Sequence, residues 1–243
     1  MKLLIIRHGD PDYEHDDLTE VGKREAQCLA ARIAPMKVRE YFVSPLGRAK
    51  ATAAPTLEKA GRQATEYDWL RELSIPVARP DKNGELSRVP WDWLPQDWLR
   101  DTRLMSAEHW MENEVMRGGR VGEAFEHVTR AFDALLARYG YEREGLLYRV
   151  REPNEDTLVF FCHLGLGCVL LSHLMNCSPM VLWQGTVMAP SSVSVVHTEE
   201  RRPGYASFRA ASIGDVSHLY AAGLEPSFAA RFCETYGNGD RVD

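Results

Sequence analysis

Arg7 and His8, Arg48, Glu72 and His163 are residue types that together could handle a phosphate group. Arginine presents a planar, permanently charged fork that matches phosphate oxygens. Unit charges ~4 Å apart attract by about 4 kcal/mol at an effective dielectric near 20. Two arginines and two histidines at one point would therefore hold a dianion without a metal. A histidine in that field has two jobs open to it. It can stabilise charge as an imidazolium, or attack phosphorus as a neutral nucleophile whose other ring nitrogen is pinned by a hydrogen bond. A departing alkoxide must also be protonated. Glu72 is the natural acid for that step, with Glu66, Asp68 and Glu85 as nearby rivals.

These residues lie far apart in the chain, so secondary structure must bring them together. Leu3-Leu4-Ile5-Ile6, directly before Arg7-His8-Gly9, reads as a buried strand. Thr19 is placed as the N-cap of a helix marked by Ala26, Leu29, Ala30 and Ile33 and stopped by Pro35. Glu40 to Val43 reads as a second strand. Ser44-Pro45 is expected to open the next helix, with Ser44 as cap, Arg48 one turn in and Gly61 at the end. A short strand around Ala64 to Tyr67 leads into Leu70-Arg71-Glu72-Leu73, and a long helix is predicted from Val121 to Tyr139. Thr157 to Cys162 is the strongest strand signal, with His163 at its end. Gly165 and Gly167 are expected to loosen the turn before a helix marked by Val169, Leu170 and Leu174. Ser192 to His197 and Tyr205 to Ala210 read as late strands, and Tyr236 to Asp243 as a frayed polar tail.

Strands alternating with helices predict an α/β fold, a three-layer α/β/α arrangement with a mostly parallel sheet. The carboxyl ends of parallel strands share one edge, and ligands bind beyond it. Arg7-His8, Ser44 with Arg48, and His163 would then meet in one pocket. Thr19 is read as a cap or a phosphate contact, and Ser44 as a cap or a support behind the site. Residues 76–119 break the pattern. This stretch holds Trp91, Trp93, Trp98 and Trp110 and several prolines, and reads as an insertion or lid on a single domain spanning 1–243. Its tryptophans either pack the insertion or face a substrate.

Composition narrows the classes. With 44% apolar residues the chain can bury a sizeable core, and a net charge of −6 argues against a general nucleic-acid binder. No apolar stretch approaches the roughly 18–20 residues that span a bilayer. The apolar run after Met1-Lys2 is too short for a signal-peptide core, so no membrane association and a cytoplasmic location are expected. Five cysteines without a Cys-x-x-Cys pair fit a reduced compartment.

Taken in order, these blocks resemble the histidine phosphatase superfamily, the phosphoglycerate mutase-like fold. The resemblance runs through Leu3 to Gly9, Leu18-Thr19-Glu20-Val21-Gly22 with Ala26, and Ser44 to Ala49 with Thr52-Ala53. It continues through Leu70-Arg71-Glu72, Gly122-Glu123 and Phe161-Cys162-His163-Leu164-Gly165. It implies His8 as nucleophile forming a phosphohistidine. Arg7, Arg48 and His163 would bind the phosphoryl group, and Glu72 would be the proton donor and then the base that activates water. It implies no metal or organic cofactor, and a small phosphorylated metabolite as substrate.

The chain departs from the family pattern at three places. Leu164 stands where a glycine usually follows the histidine, and either narrows the pocket floor or turns into the core. Ile75-Pro76 replaces the Tyr-Gly or Trp-Glu-Gly elements of the mutase branch. No paired-arginine substrate element is present. The last two favour a phosphatase over a mutase. A phosphomutase and a non-catalytic phospho-ligand binding module remain alternatives. So does a metal-dependent hydrolase built on His8, Asp10, Asp12, His15, Asp16 and Asp17, although this spacing matches no established metal motif. Self-association into a homo-oligomer is left open.

Overall fold

The computed structural model describes residues 1–80 and 83–227. Cys233 and the polar tail from Tyr236 lie outside the described residues. The chain opens with β1 (Lys2–Arg7), a short hairpin β2 (Pro11–Asp12) and β3 (Asp17–Leu18), then α1 (Glu20–Ile33), β4 (Glu40–Val43), α2 (Gly47–Ala60) and β5 (Ala64–Glu66). The tryptophan-rich segment contributes β6 (Val77–Ala78), β7 (Leu86–Ser87), α3 (Pro95–Trp98), single 3-10 turns and α4 (Glu114–Gly118). It is followed by α5 (Val121–Ala137), β8 (Tyr141–Glu144), β9 (Leu147–Val150), β10 (Thr157–Cys162), α6 (Leu164–Met175) and α7 (Pro179–Gly185). The described chain ends with β11 (Val193–Arg202), β12 (Tyr205–Asp215) and α8 (Ser217–Ala221).

Eight strands form one sheet in the order β5-β4-β10-β1-β11-β12-β9-β8. Pairing is parallel from β5 to β1 and antiparallel from β1 to β8. The parallel half carries the strand ends singled out above. Arg7 pairs with Cys162, and Val43 with Phe161, so the residues after β1, β4 and β10 emerge side by side.

Alternation along these strands builds two cores. Leu3, Ile5, Leu158 and Phe160 face α5, α6 and the tryptophan-rich segment, while Leu4, Ile6, Val159 and Phe161 face α1 and α2. Both faces are covered, which is why these strands read as continuous apolar runs. Within the tryptophan-rich segment Trp91, Trp93 and Trp110 are buried in the first core.

Two local expectations are corrected, the start of α2 and the place of Gly165 and Gly167. Helix α2 starts at Gly47 with Leu46 in the cap position, not at Pro45, and the Ser44 hydroxyl is shared between Leu46 N–H and His163 Nε2. Gly165 and Gly167 lie inside α6, which begins immediately after His163. Gly22 sits in the first turn of α1 because the Asp10 backbone crosses there: a Cβ would stand 2.2 Å from the Asp10 carbonyl oxygen.

Candidate active site

Arg7, His8, Arg48 and Glu72 line one cleft of about 640 Å³, together with Tyr13, Asp16, Leu46, Arg71, Arg88, Val89, Trp91 and Leu164. His8 is held from both sides of the sheet edge. Its N–H donates to the Cys162 carbonyl at 3.0 Å, and its own carbonyl accepts from Ser191 N–H at 3.0 Å. Ser191 takes a positive φ of 59° to make that bond. The His8 ring places Nδ1 2.7 Å from the Gly9 carbonyl oxygen. A carbonyl only accepts, so Nδ1 carries the proton and Nε2 keeps its lone pair in the neutral ring. Burial, then the positive Arg7, pushes the His8 pKa well below its ordinary value, with Arg48 acting the same way. The guanidinium of Arg7 is buried and donates to the Met188 carbonyl.

His163 caps α6, and its ring centroid lies 5.2 Å from that of His8. Its Nε2 is 2.7 Å from Ser44 Oγ, while its Nδ1 is buried with no hydrogen-bond partner among the described residues. Burial again holds this ring neutral, helped by His8 and the two arginines. Ser44 is thus a support behind His163 outside the cleft lining, and its hydroxyl also accepts from Leu46 N–H at 3.3 Å just ahead of α2. Thr19 is the N-cap of α1, as expected, and does not line the cleft as a phosphate contact would. Its hydroxyl accepts from Gly22 N–H and donates to Asp10 Oδ2 at 2.6 Å, away from the cleft lining.

Arg48 lies in the first turn of α2 and donates to Asp16 Oδ1 at 2.5 Å, while Asp16 Oδ2 accepts from Gly47 N–H. The Arg48 Nε is buried without a partner among the described residues. Thr52, one turn on, accepts from Gly9 N–H at 2.9 Å and donates to the Arg48 carbonyl. That bond ties the loop after β1 to α2.

Glu72 enters from the loop after a 3-10 turn and ends at the start of α6. Its carboxylate accepts from Leu73, Gly165 and Leu166 N–H at 2.9, 3.3 and 3.0 Å. It therefore does for α6 what a cap side chain would do, since His163 makes no side-chain cap bond. Burial raises its pKa, against three backbone donors and Arg48 that lower it. The rivals are elsewhere. Glu66 pairs with Lys50, Asp68 with Arg71, and Glu85 is exposed. Glu123 pairs with Arg120 outside the cleft lining.

The acidic loop does not converge. Asp10 binds Thr19, Asp12 binds His15, and Asp16 binds Arg48. Among the described residues no group of three or more metal-ligating side chains could hold a metal ion. Sequence reasoning gave no role to Arg71, Arg88 or Tyr13 and did not pair Asp16 with Arg48. Arg71 stood beside Glu72 in its block and Asp16 in the acidic run, whereas Arg88 and Tyr13 carried no signal. Leu164 both lines the cleft and joins the core.

The buried imidazoles predict acid-sensitive stability. His218, packed near Arg32 and pushed down to about 4, joins His8 and His163 as a histidine held neutral. Unfolded imidazoles take up protons below about pH 6.5, and these do not, so their contribution is present above that pH and lost as pH falls. Each should cost roughly 1.4 kcal/mol between pH 7.5 and 5.5. Urea unfolding at the two pH values measures this, and equal stabilities would contradict it.

The fold has solved counterparts. A mycobacterial glucosyl-3-phosphoglycerate phosphatase in complex with inorganic phosphate superposes with a TM-score of 0.59, covering 90% of this chain and 99% of that one at 18% identity. In sequence, a probable phosphatase of Schizosaccharomyces pombe is 23% identical over 233 residues, 90% of this chain and 95% of that protein. A probable phosphoglycerate mutase of Erwinia tasmaniensis is 23% identical over 235 residues, 93% and 98% of the two chains. The model of the histidine phosphatase superfamily (branch 1) matches residues 3–210, and the chain belongs to that superfamily. Membership and relatives together indicate a phosphatase or a mutase. No helix among the described residues is long and apolar enough to cross a membrane.

Proposed function

We propose that the protein is a metal-independent phosphomonoester hydrolase that passes the phosphoryl group of a small phosphorylated metabolite through His8. The observation that carries this reading is the meeting of Arg7, His8, Arg48 and Glu72 in one cleft, with His8 Nδ1 tied to Gly9 and Nε2 left with its lone pair. Nε2 attacks phosphorus, the bond from phosphorus to the leaving oxygen breaks, and Glu72 gives its proton to that oxygen. Glu72, now a carboxylate, takes a proton from water as the water oxygen attacks phosphorus. The N–P bond breaks and inorganic phosphate leaves. Arg7 and Arg48 neutralise the equatorial oxygens throughout. His163 stands behind the cleft lining with its ring 5.2 Å from that of His8, and its buried Nδ1, like the Arg48 Nε, is partnerless among the described residues, which supports a place for both beside a phosphoryl group.

Hydrolysis of an aryl phosphate in excess chelator tests this reading, and chelator-sensitive turnover would overturn it. Tight phosphate binding with no turnover across a broad panel would instead mark a binding module. The mutase reading has the full-length mutase-like relatives in its favour. Phosphate that persists on His8 and passes to a hydroxyl acceptor rather than to water would establish it.

Asp16 half-neutralises Arg48, so Asp16→Asn is expected to tighten inorganic phosphate by about 1 kcal/mol, roughly fivefold. Competitive inhibition by phosphate reads this, and a weakened affinity would make Asp16 a support for Arg48 instead.

A further inference from the structure

We propose that Trp91 is a positioning residue that seals Glu72 from water on the leaving-group side of the cleft, and so extends turnover to phosphomonoesters of ordinary alcohols. This rests on Glu72 being the proton donor. The geometry centres on Gly165 in the first turn of α6. A Cβ there would stand 2.1 Å and 2.2 Å from two ring atoms of Trp91 and 2.9 Å from Glu72 Oε1. The indole and the carboxylate therefore close on the same point, and only the lack of a side chain at Gly165 lets them do so. Trp91 is itself wedged. It is 5% exposed and its ring lies 5.6 Å from that of Trp183, whose Nε1 donates to the Gly165 carbonyl at 2.9 Å. The chain thus invests two tryptophans and a glycine in one contact beside one carboxyl group.

The consequence is electrostatic. Arg7 and Arg48 face Glu72 and favour its charged form, as do the three backbone donors, and the neighbouring Arg71 lies on the same cleft. The thiols of Cys162 and Cys168 lie behind it, and the rings of His8 and His163 are neutral. Asp16 and Arg88 stand on the cleft wall. Against this mostly positive surrounding, burial raises the Glu72 pKa, and the half-buried carboxyl meets the cleft on its remaining side. The indole excludes water there with a surface that offers the carboxylate no hydrogen bond. A phenolate leaves without much help, whereas an alkoxide needs a proton in the transition state, so the seal matters for alcohol esters above all. Trp91 comes from the tryptophan-rich segment, which makes that segment part of the acid's environment.

The test compares wild type with Trp91→Phe, Trp91→Leu and Trp91→Ala on 4-nitrophenyl phosphate and on an alkyl phosphate such as glycerol phosphate. Trp91→Ala and Trp91→Leu should lower kcat for the alkyl ester tenfold or more and for the aryl ester less than threefold. The alkaline limb of the pH profile should move down by about one unit, and Trp91→Phe should restore most of both. In parallel, the 13C carboxyl signal of Glu72, assigned by its loss in Glu72→Gln, should titrate lower in Trp91→Leu than in wild type. Equal losses on both esters with an unmoved limb and an unmoved carboxyl titration would overturn the proposal and leave Trp91 as packing. If Trp91→Ala fails to fold, Trp91→Leu decides. Wild-type inactivity on both esters would overturn the hydrolase reading instead, while the carboxyl titration still shows whether the seal exists.

Discussion

Replacing His8 by alanine is expected to lower phosphatase turnover by about four orders of magnitude or more, because it removes the atom proposed to form the bond to phosphorus. The arginines and Glu72 remain, so the effect should be confined to chemistry. Inorganic phosphate should still bind within a few-fold of wild type. Incubation with substrate followed by rapid quench should label wild type with acid-labile phosphate and leave His8→Ala unlabelled. His8 is 2% exposed and neutral, so its loss leaves a small cavity but no unpaired charge. A circular dichroism spectrum like that of wild type would confirm that inactivity is not unfolding. A variant that turns over at the wild-type rate would refute His8 as nucleophile.

Glu72→Gln should have the second largest effect, a loss of about 10²- to 10⁴-fold on alkyl esters, since amide cannot supply the proton. The change is isosteric but not innocent. Glu72 Oε1 accepts from Leu73 and Leu166 N–H, and Oε2 from Gly165 N–H. Glutamine has one acceptor oxygen, so its NH₂ must face at least one of these donors. Leaving a buried backbone N–H unpaired costs about 1–3 kcal/mol, and urea unfolding should show a loss in that range. Kinetics on aryl and alkyl esters separate the two consequences, because lost stability lowers both alike and a lost proton lowers the alkyl ester more. Equal activity of Glu72→Gln and wild type on alkyl esters would send the search for the acid elsewhere.

Much of the site could be read before the fold was known, and the reason is local. Four aliphatic residues before Arg7 and the five apolar residues from Leu158 to Cys162 before His163 read as strands buried on both faces. Such strands run parallel beneath helices, so their carboxyl ends converge. Arg48 followed because it lies in the first turn of the helix after the strand Glu40–Val43. The late hairpins were harder. The sequence reading left out β8 and β9, whose charged Tyr141 to Glu144 strand lacks the buried pattern, and so the sheet expected to be mostly parallel is mixed, with three parallel and four antiparallel pairings among the described residues.

Other residues had no local signal because their role depends on what arrives from elsewhere. Ser44 has the type and position of a cap, and it became the partner of His163 only because β4 and β10 pair in register. Thr19 could have met a phosphate, but Asp10 folds back onto it first. Gly165 looks like a turn glycine and is instead a helical residue that makes room for Trp91 and Glu72. The apolar runs of short segments were enough to place the strand edge, the cationic residues at it and Glu72 among several carboxylates near it. Tertiary structure alone decided that the core is divided in two, that Glu72 and not its rivals lines the cleft, that Arg48 is already paired with Asp16, and that Trp91 stands beside Glu72. These are decided by contacts between segments tens of residues apart, and no segment carries its partner's position.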